Sequence, residues 1–223
     1  MRVRDGETET EFAPRCAENL EQLILDEGPE TIAAFFAEPI MGAGGVIVPA
    51  EGYFEKVQAV LKKYDILMVA DEVICGFGRT GNMWGSQTFG IRPDLITCAK
   101  ALSSAYLPIS AVLISNELYE VVRDQSGELG GFNHGYTYSG HPVSAAVALE
   151  TLKIYEERNI VGHVQKVGPI MQRSLRNFAD HPLVGEVRGI GLLAGVELMA
   201  DGLNCIPFDP KAKVGPKLMT ICE

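Results

Sequence analysis

Ile66-Leu67-Met68-Val69-Ala70-Asp71 and, further along, Leu95-Ile96-Thr97-Cys98-Ala99-Lys100 are the stretches whose reading decides the fold. Each is a short apolar run that delivers one chargeable residue at its end. Such runs read as buried strands of a parallel sheet, because a strand covered on both faces has no polar side to alternate with. In open α/β sheets the ligand sits beyond the carboxyl ends of the strands. Asp71 and Lys100 therefore mark one candidate site.

Working outward, residues 33–40 read as a strand, followed by a turn at Gly42-Ala43-Gly44-Gly45. Residues 52–64 are amphipathic, with Phe54, Val57, Val60 and Leu61 on one helical face. A strand over 109–115 continues the strand–helix alternation, which is the order of a parallel sheet with crossover helices. Upstream, Ala17, Leu20, Leu23 and Ile24 have helical spacing over 17–27, while the polar, acidic residues 1–15 are expected to form an exposed lead-in. Downstream come a short helix at 117–124, a glycine-rich loop at 127–135 and a long helix over 142–157. That long helix is rich in strong helix formers such as Ala145, Ala146, Ala148 and Leu149. A further helix spans 161–178, and residues 184–198 read as strands broken by glycine bends. Residues 1–160 are thus expected to belong to a large α/β domain with a mostly parallel sheet. Residues 161–223 are expected to start a smaller α/β domain whose sheet stays incomplete.

Composition narrows the function classes. Hydrophobic residues make up 47% and charged residues 22% of 223, an ordinary globular balance. A formal net charge of −10 argues against nucleic acid or an anionic membrane as partner. No apolar run approaches the length of a membrane span. Met1-Arg2-Val3-Arg4-Asp5 has no apolar stretch after its basic residues, so no secretory signal is expected. The five cysteines are scattered without a CxxC pair, and His134, His141, His163 and His181 are dispersed, so no metal site is expected. Reduced thiols fit a cytoplasmic location.

A carboxylate at one strand end and an amine at the next point to a Schiff-base cofactor of the pyridoxal phosphate type. Alone, Asp71 reads more often as a loop or capping residue, and Lys100 as a solvated surface lysine. Together, Asp71 would hold a pyridinium protonated, because a carboxylate favours the charged ring. Lys100, between Ala99 and Ala101, would be drawn out of water and serve as the nucleophile. Gly76-Phe77-Gly78-Arg79-Thr80-Gly81 competes as a GxGxxG phosphate loop. The loop-like residues after it offer no helix N-terminus for a pyrophosphate, so the nucleotide reading is set aside. Tyr136-Thr137-Tyr138-Ser139 precedes the long helix and reads as a hydroxyl cap or a phosphate contact, with the cap favoured. Glu38 is either a hydrogen-bond partner at one remove from the site or a solvated strand end.

Taken together, several ordered segments resemble the class III (omega) aminotransferases, pyridoxal phosphate enzymes of fold type I. The segments are Ala37-Glu38-Pro39-Ile40, Ala70-Asp71-Glu72-Val73 with the glycine loop, and Pro93-Asp94 through Lys100. They continue in Pro108-Ile109-Ser110-Ala111-Val112, Tyr136 through Pro142, and Val187-Arg188-Gly189-Ile190-Gly191-Leu192. The resemblance implies that Lys100 is the Schiff-base lysine and Asp71 the partner of the pyridinium nitrogen. It implies that Val73 and Ile74 contact the cofactor and that Val73 packs on the ring face. Thr137 is implied to reach the cofactor phosphate of a neighbouring subunit in a homodimer, which displaces the cap reading. The implied substrates are an amine or omega-amino acid and a keto acid.

Two positions refine the subclass. Members resembling ornithine or 4-aminobutyrate aminotransferases carry glutamine where this chain has Ile74. Ornithine aminotransferase-like members also carry glutamate where Ala43 stands. The pattern is closer to the amine–pyruvate branch, with pyruvate as acceptor. The family pattern also extends past both ends of this sequence, to a phosphate-binding turn before it and a substrate-binding arginine after it. A second reading follows from that difference: an inactive, shortened relative that acts at most as an association partner.

Overall fold

The computed structural model describes residues 7–222. Helix α1 (Glu9–Glu27) begins inside the stretch expected as an exposed lead-in. The expectation for residues 1–6 lies outside the described residues. The earlier start has a local cause. The Glu11 carboxylate accepts hydrogen bonds from Thr8 N and Thr8 Oγ1, each at 2.8 Å, which closes the first helical turn. Those bonds hold the Glu11 carboxyl below its usual range. Ala13, Ala17 and Ile24 then form the buried face.

The first sheet has the order β1-β2-β3-β4. Strands β1 (Ala34–Ala37), β2 (Leu67–Asp71) and β3 (Leu95–Cys98) run parallel, with Phe36 opposite Val69 and Asp71 opposite Thr97. Helix α2 (Tyr53–Lys63) crosses between β1 and β2, and buries Phe54, Val57 and Leu61. These side chains meet Ile24, Ile66, Met68 and Ile91, which fixes α1 and α2 on one face of the sheet. Burial of three or four such side chains supplies about 1.5–3 kcal/mol each before entropy is counted.

Strand β4 (Ala111–Ile114) corrects the expectation of parallel alternation, because it pairs antiparallel with β3. Parallel entry needs a crossover long enough to return the chain to the starting edge, usually a helix. The link after β3 holds only a short 310 turn at Lys100–Leu102, so the chain comes straight back. An antiparallel edge strand on an otherwise parallel sheet is a common outcome.

Between β2 and β3 lie the glycine loop and a short helix, α3 (Gly85–Thr88). Helix α4 (Asn116–Leu129) runs farther than expected and ends at Gly130, whose φ of 85° needs no Cβ. Helices α5 (Pro142–Glu157) and α6 (Ile160–Arg176) then lead to a second sheet. Its strands β5 (Val184–Ile190), β6 (Leu193–Asp201) and β7 (Ile206–Pro207) are antiparallel. Helix α7 (Val214–Cys222) closes the described chain. Among the described residues no helix is long and apolar enough to cross a membrane.

The glycine loop is where the second sheet docks on the first. Leu192 N donates to Arg79 O at 2.9 Å, and Gln165 Nε2 donates to Gly81 O at 2.7 Å. Gly191 has φ +57°, and a Cβ there would lie 2.5 Å from Arg79 O. Only glycine lets the β5–β6 hairpin tip approach so closely. Arg188 adds a second tie, with Nε donating to Gly45 O at 2.8 Å. No helix opens directly after Gly81, so the loop serves packing and lacks the helix N-terminus of a nucleotide fingerprint.

Candidate active site

Asp71 ends β2, and Lys100 stands just past the end of the neighbouring parallel strand β3. The shared register with Thr97 leaves at most about 11 Å of backbone between the strand position opposite Asp71 and Lys100. Both residues therefore sit at the carboxyl edge of the parallel strands, as the sequence predicts.

Asp71 is half-buried and uses one oxygen for structure. Its Oδ1 accepts from Val73 N at 3.0 Å and from Thr97 Oγ1 at 3.2 Å. The first is the side-chain-to-backbone turn that aspartate favours two residues on. Oδ2 accepts no hydrogen bond from the described residues. The carboxylate is held in orientation and keeps an oxygen available.

Glu72 behaves differently, and the sequence reading assigned it no role. Glu72 follows the last residue of β2, and its carboxylate takes different partners from that of Asp71. Glu72 is 0% exposed, and its carboxylate accepts from Gly85 N at 2.8 Å and Ser86 N at 2.6 Å. It pins α3 beneath the glycine loop. The Asp-Glu pair at a strand end was the available signal, since two adjacent acids there cannot share one environment.

Lys100 corrects the expectation of a desolvated amine. The residue is exposed, and its amine has no ion pair or hydrogen bond with a described residue. Lys100 lies outside the strand, at the start of the 310 turn, with φ +44°. Ala99 and Ala101 are too short to cover a lysine stem.

Val73 and Ile74 follow Asp71 and are half-buried. Ile74 lies against the glycine turn after β1, where a Cβ at Gly42 would fall 2.5 Å from Ile74 Cδ1. Glu38 holds the same turn by accepting from Gly42 N at 2.9 Å. The structure thus brings Glu38, Asp71, Val73, Ile74 and Lys100 to one edge. Thr137 stays apart. It is exposed in the loop between α4 and α5, and no described contact joins it to Asp71 or Lys100. The hydroxyls of 136–139 do not cap α5, whose N-cap residue is His141. Ser139 instead closes its own turn with Tyr136.

Cys75 is the buried thiol nearest these acids. Burial pushes it up to about 11, with the charges of Glu72, Glu38 and Asp71 adding to the shift against its hydrogen bond to Ile40 O. A thiol titrating that high carries almost no thiolate at neutral pH, so it is no nucleophile here. Iodoacetamide at pH 8 is expected to alkylate the exposed Cys205 and Cys222 and to spare Cys75 until the chain is denatured. Peptide mass mapping would show this, and Cys75 modified at the same rate as Cys205 would contradict the assignment.

The Aminotransferase class-III family model matches residues 3–213. The chain belongs to the class-III aminotransferases. Pyridoxal phosphate is the cofactor of this family. The chain is 60% identical over 218 residues to a gamma aminobutyrate transaminase 3, chloroplastic, of Solanum lycopersicum. It is 59% identical over 217 residues to a probable gamma-aminobutyrate transaminase 3, mitochondrial, of Oryza sativa subsp. indica. These alignments cover 98% and 97% of this chain and 42% of each relative. The chain thus spans less than half the length of the curated relatives it matches.

Solved transaminases share the fold. One described with L-alanine superposes with a TM-score of 0.93 at 57% identity, over 96% of this chain and 50% of the other. The omega transaminase from Pseudomonas jessenii in complex with PMP gives 0.91 at 58% identity, over 93% and 46%. The α/β fold of pyridoxal phosphate-dependent transaminases is therefore the fold of this class-III chain. The cytoplasmic expectation is corrected: the relatives are named chloroplastic or mitochondrial, and scattered reduced cysteines do not distinguish those compartments from the cytoplasm.

Proposed function

We propose that this chain carries the catalytic couple of a transaminase that moves an amino group from an amine or omega-amino acid to a keto acid such as pyruvate. The observation that carries the reading is the placement at one sheet edge of Asp71, with one oxygen engaged and one available, and of Lys100 just past the end of the next strand, its amine without a described partner. The donor set fits pyridoxal phosphate, which when bound supplies the electron sink and the carrier for the amino group. Asp71, oriented by Val73 N and Thr97 Oγ1, would hold the proton on the pyridine nitrogen through its charge. Lys100 Nζ would be the covalent anchor and would move the proton at the substrate carbon. Val73 and Ile74 would line the ring, and Glu38 would act through the Gly42 turn it supports.

Thr137, exposed on its loop, suits a contact to the cofactor phosphate in the partner subunit of a homodimer. Neutral side chains at Ile74 and Ala43 support pyruvate as acceptor, and the solved relative with L-alanine is consistent with it. The names of the plant relatives support gamma-aminobutyrate among the donors. The likeness to these transferases favours this reading over an inactive association partner. We also place the boundary between a large and a small domain near residue 160.

Mixing the chain with pyridoxal phosphate, reducing with borohydride and mapping peptides tests the proposal. The expected result is a visible absorption band in the wild type and a reduced adduct on Lys100, both lost in Lys100→Ala. Absence of the band, or its survival in Lys100→Ala, would overturn it.

A further inference from the structure

Lys100 sits on a strained piece of backbone. Lys100, Ser104 and Ala105 all have positive φ, at 44°, 49° and 64°. Left-handed conformations at residues with a Cβ persist only where surrounding contacts hold them. The 310 turn has its own backbone bonds, Leu102 N to Ala99 O and Ser103 N to Lys100 O, and Ser103 Oγ donates to Leu107 O at 2.6 Å. All of these are local to the turn and cannot fix it against the sheet.

One side chain from a distant element does. Tyr155, in the last turns of α5, donates its hydroxyl to Ala101 O at 2.6 Å and lies 2.8 Å from Ser104 Oγ. The phenol has a single hydrogen, so Ser104 is the donor in the second bond. The hydroxyl therefore spans the turn, one bond beside Lys100 and one at the second strained residue. The ring below it packs near Phe77, whose ring stands 6.3 Å away and 4.9 Å from Trp84. Leu102, Cys98 and Ala148 complete this cluster. Tyr155 is thereby anchored to β3, to the glycine loop and to its own helix.

We propose that Tyr155 is a positioning residue that fixes the backbone turn carrying Lys100 at the sheet edge it shares with Asp71. The inference rests on the reading of Lys100 as the cofactor lysine. Tyr155→Phe keeps the ring and its packing and removes only the hydroxyl. Losing both of the hydroxyl's hydrogen bonds to the turn, each of modest net worth, should weaken pyridoxal phosphate capture at Lys100 by about five-fold.

The experiment titrates the full chain with pyridoxal phosphate, reduces it with borohydride and quantifies adducts on Lys100 and on the exposed Lys62. In Tyr155→Phe the Lys100 titration should move to about five-fold higher concentration while that of Lys62 stays put. Visible circular dichroism of the bound cofactor, which reads its fixed orientation, should fall at equal occupancy. A Tyr155→Phe thermal melt that overlays the wild type separates this effect from general loosening of the fold. A Tyr155→Phe chain with unchanged Lys100 titration and unchanged dichroism overturns the proposal and leaves the cofactor reading standing. A wild type that modifies Lys100 no better than Lys62 overturns the cofactor reading, and this inference with it. Should Tyr155→Phe lose its cooperative melt, Ser104→Ala decides. That change removes an exposed hydroxyl at the same junction, and about two-fold weaker capture supports the proposal where none overturns it.

Discussion

On the proposed transaminase function, replacing Asp71 with asparagine is expected to slow amino transfer by roughly 10²–10³-fold while leaving the fold in place. The geometry isolates charge from structure. Both hydrogen bonds that Asp71 accepts end on Oδ1, and the carbonyl oxygen of asparagine can accept them equally. The change therefore falls on Oδ2, which no described residue occupies. An amide there cannot hold the pyridine proton by charge, and the electron sink weakens. A single-turnover mixing experiment on chain loaded with pyridoxal phosphate would follow the absorbance change when an amine donor is added. An unchanged rate alongside an unchanged melt would remove Asp71 from the catalytic couple.

The second large effect is on stability and comes from the neighbouring acid. Glu72→Ala is expected to cost about 2–6 kcal/mol, because two buried backbone N–H groups, of Gly85 and Ser86, lose their acceptor together at about 1–3 kcal/mol each. For a chain of this size that corresponds to a fall in Tm of roughly 5–20 °C. Glu72→Gln retains one acceptor oxygen, so its loss should be about half as large. Thermal melts followed by circular dichroism compare the three proteins. A Glu72→Ala melt that overlays the wild type would show that water satisfies those amides, and the pinning role would fall.

The strand-end pair was legible in the sequence because apolar runs of strand length mark buried strands, and their final polar residues mark the sheet edge. Strand direction was not legible. The run at Ala111–Ile114 looks like its parallel neighbours, and only the absence of a helix in the preceding link turns it around. The early start of α1 was written in Thr8 and Glu11, but acidic residues nearby suggested a solvated tail. Lys100 was rightly placed and wrongly covered, since small neighbours on a turn do not shield an amine. Glu72 was hidden beside Asp71 because its partners come from the backbone of Gly85 and Ser86, which carries no side-chain signature. Tyr155 was hidden for another reason: its acceptor lies 54 positions away, beyond any local pattern.

Those separations bear on how the site comes together as the chain collapses. The bond that aligns Asp71 with β3 joins residues 26 apart, the Tyr155 clamp spans 54, and the Arg188 tie to Gly45 spans 143. Loop-closure entropy rises with the logarithm of length, so the widest of these closures costs only about 1.5 kcal/mol more than the narrowest. The couple at the sheet edge is registered by the sheet itself, through the pairing of Asp71 with Thr97. The turn that carries Lys100 takes its clamp from α5, and the staple on the glycine turn comes from the hairpin that follows.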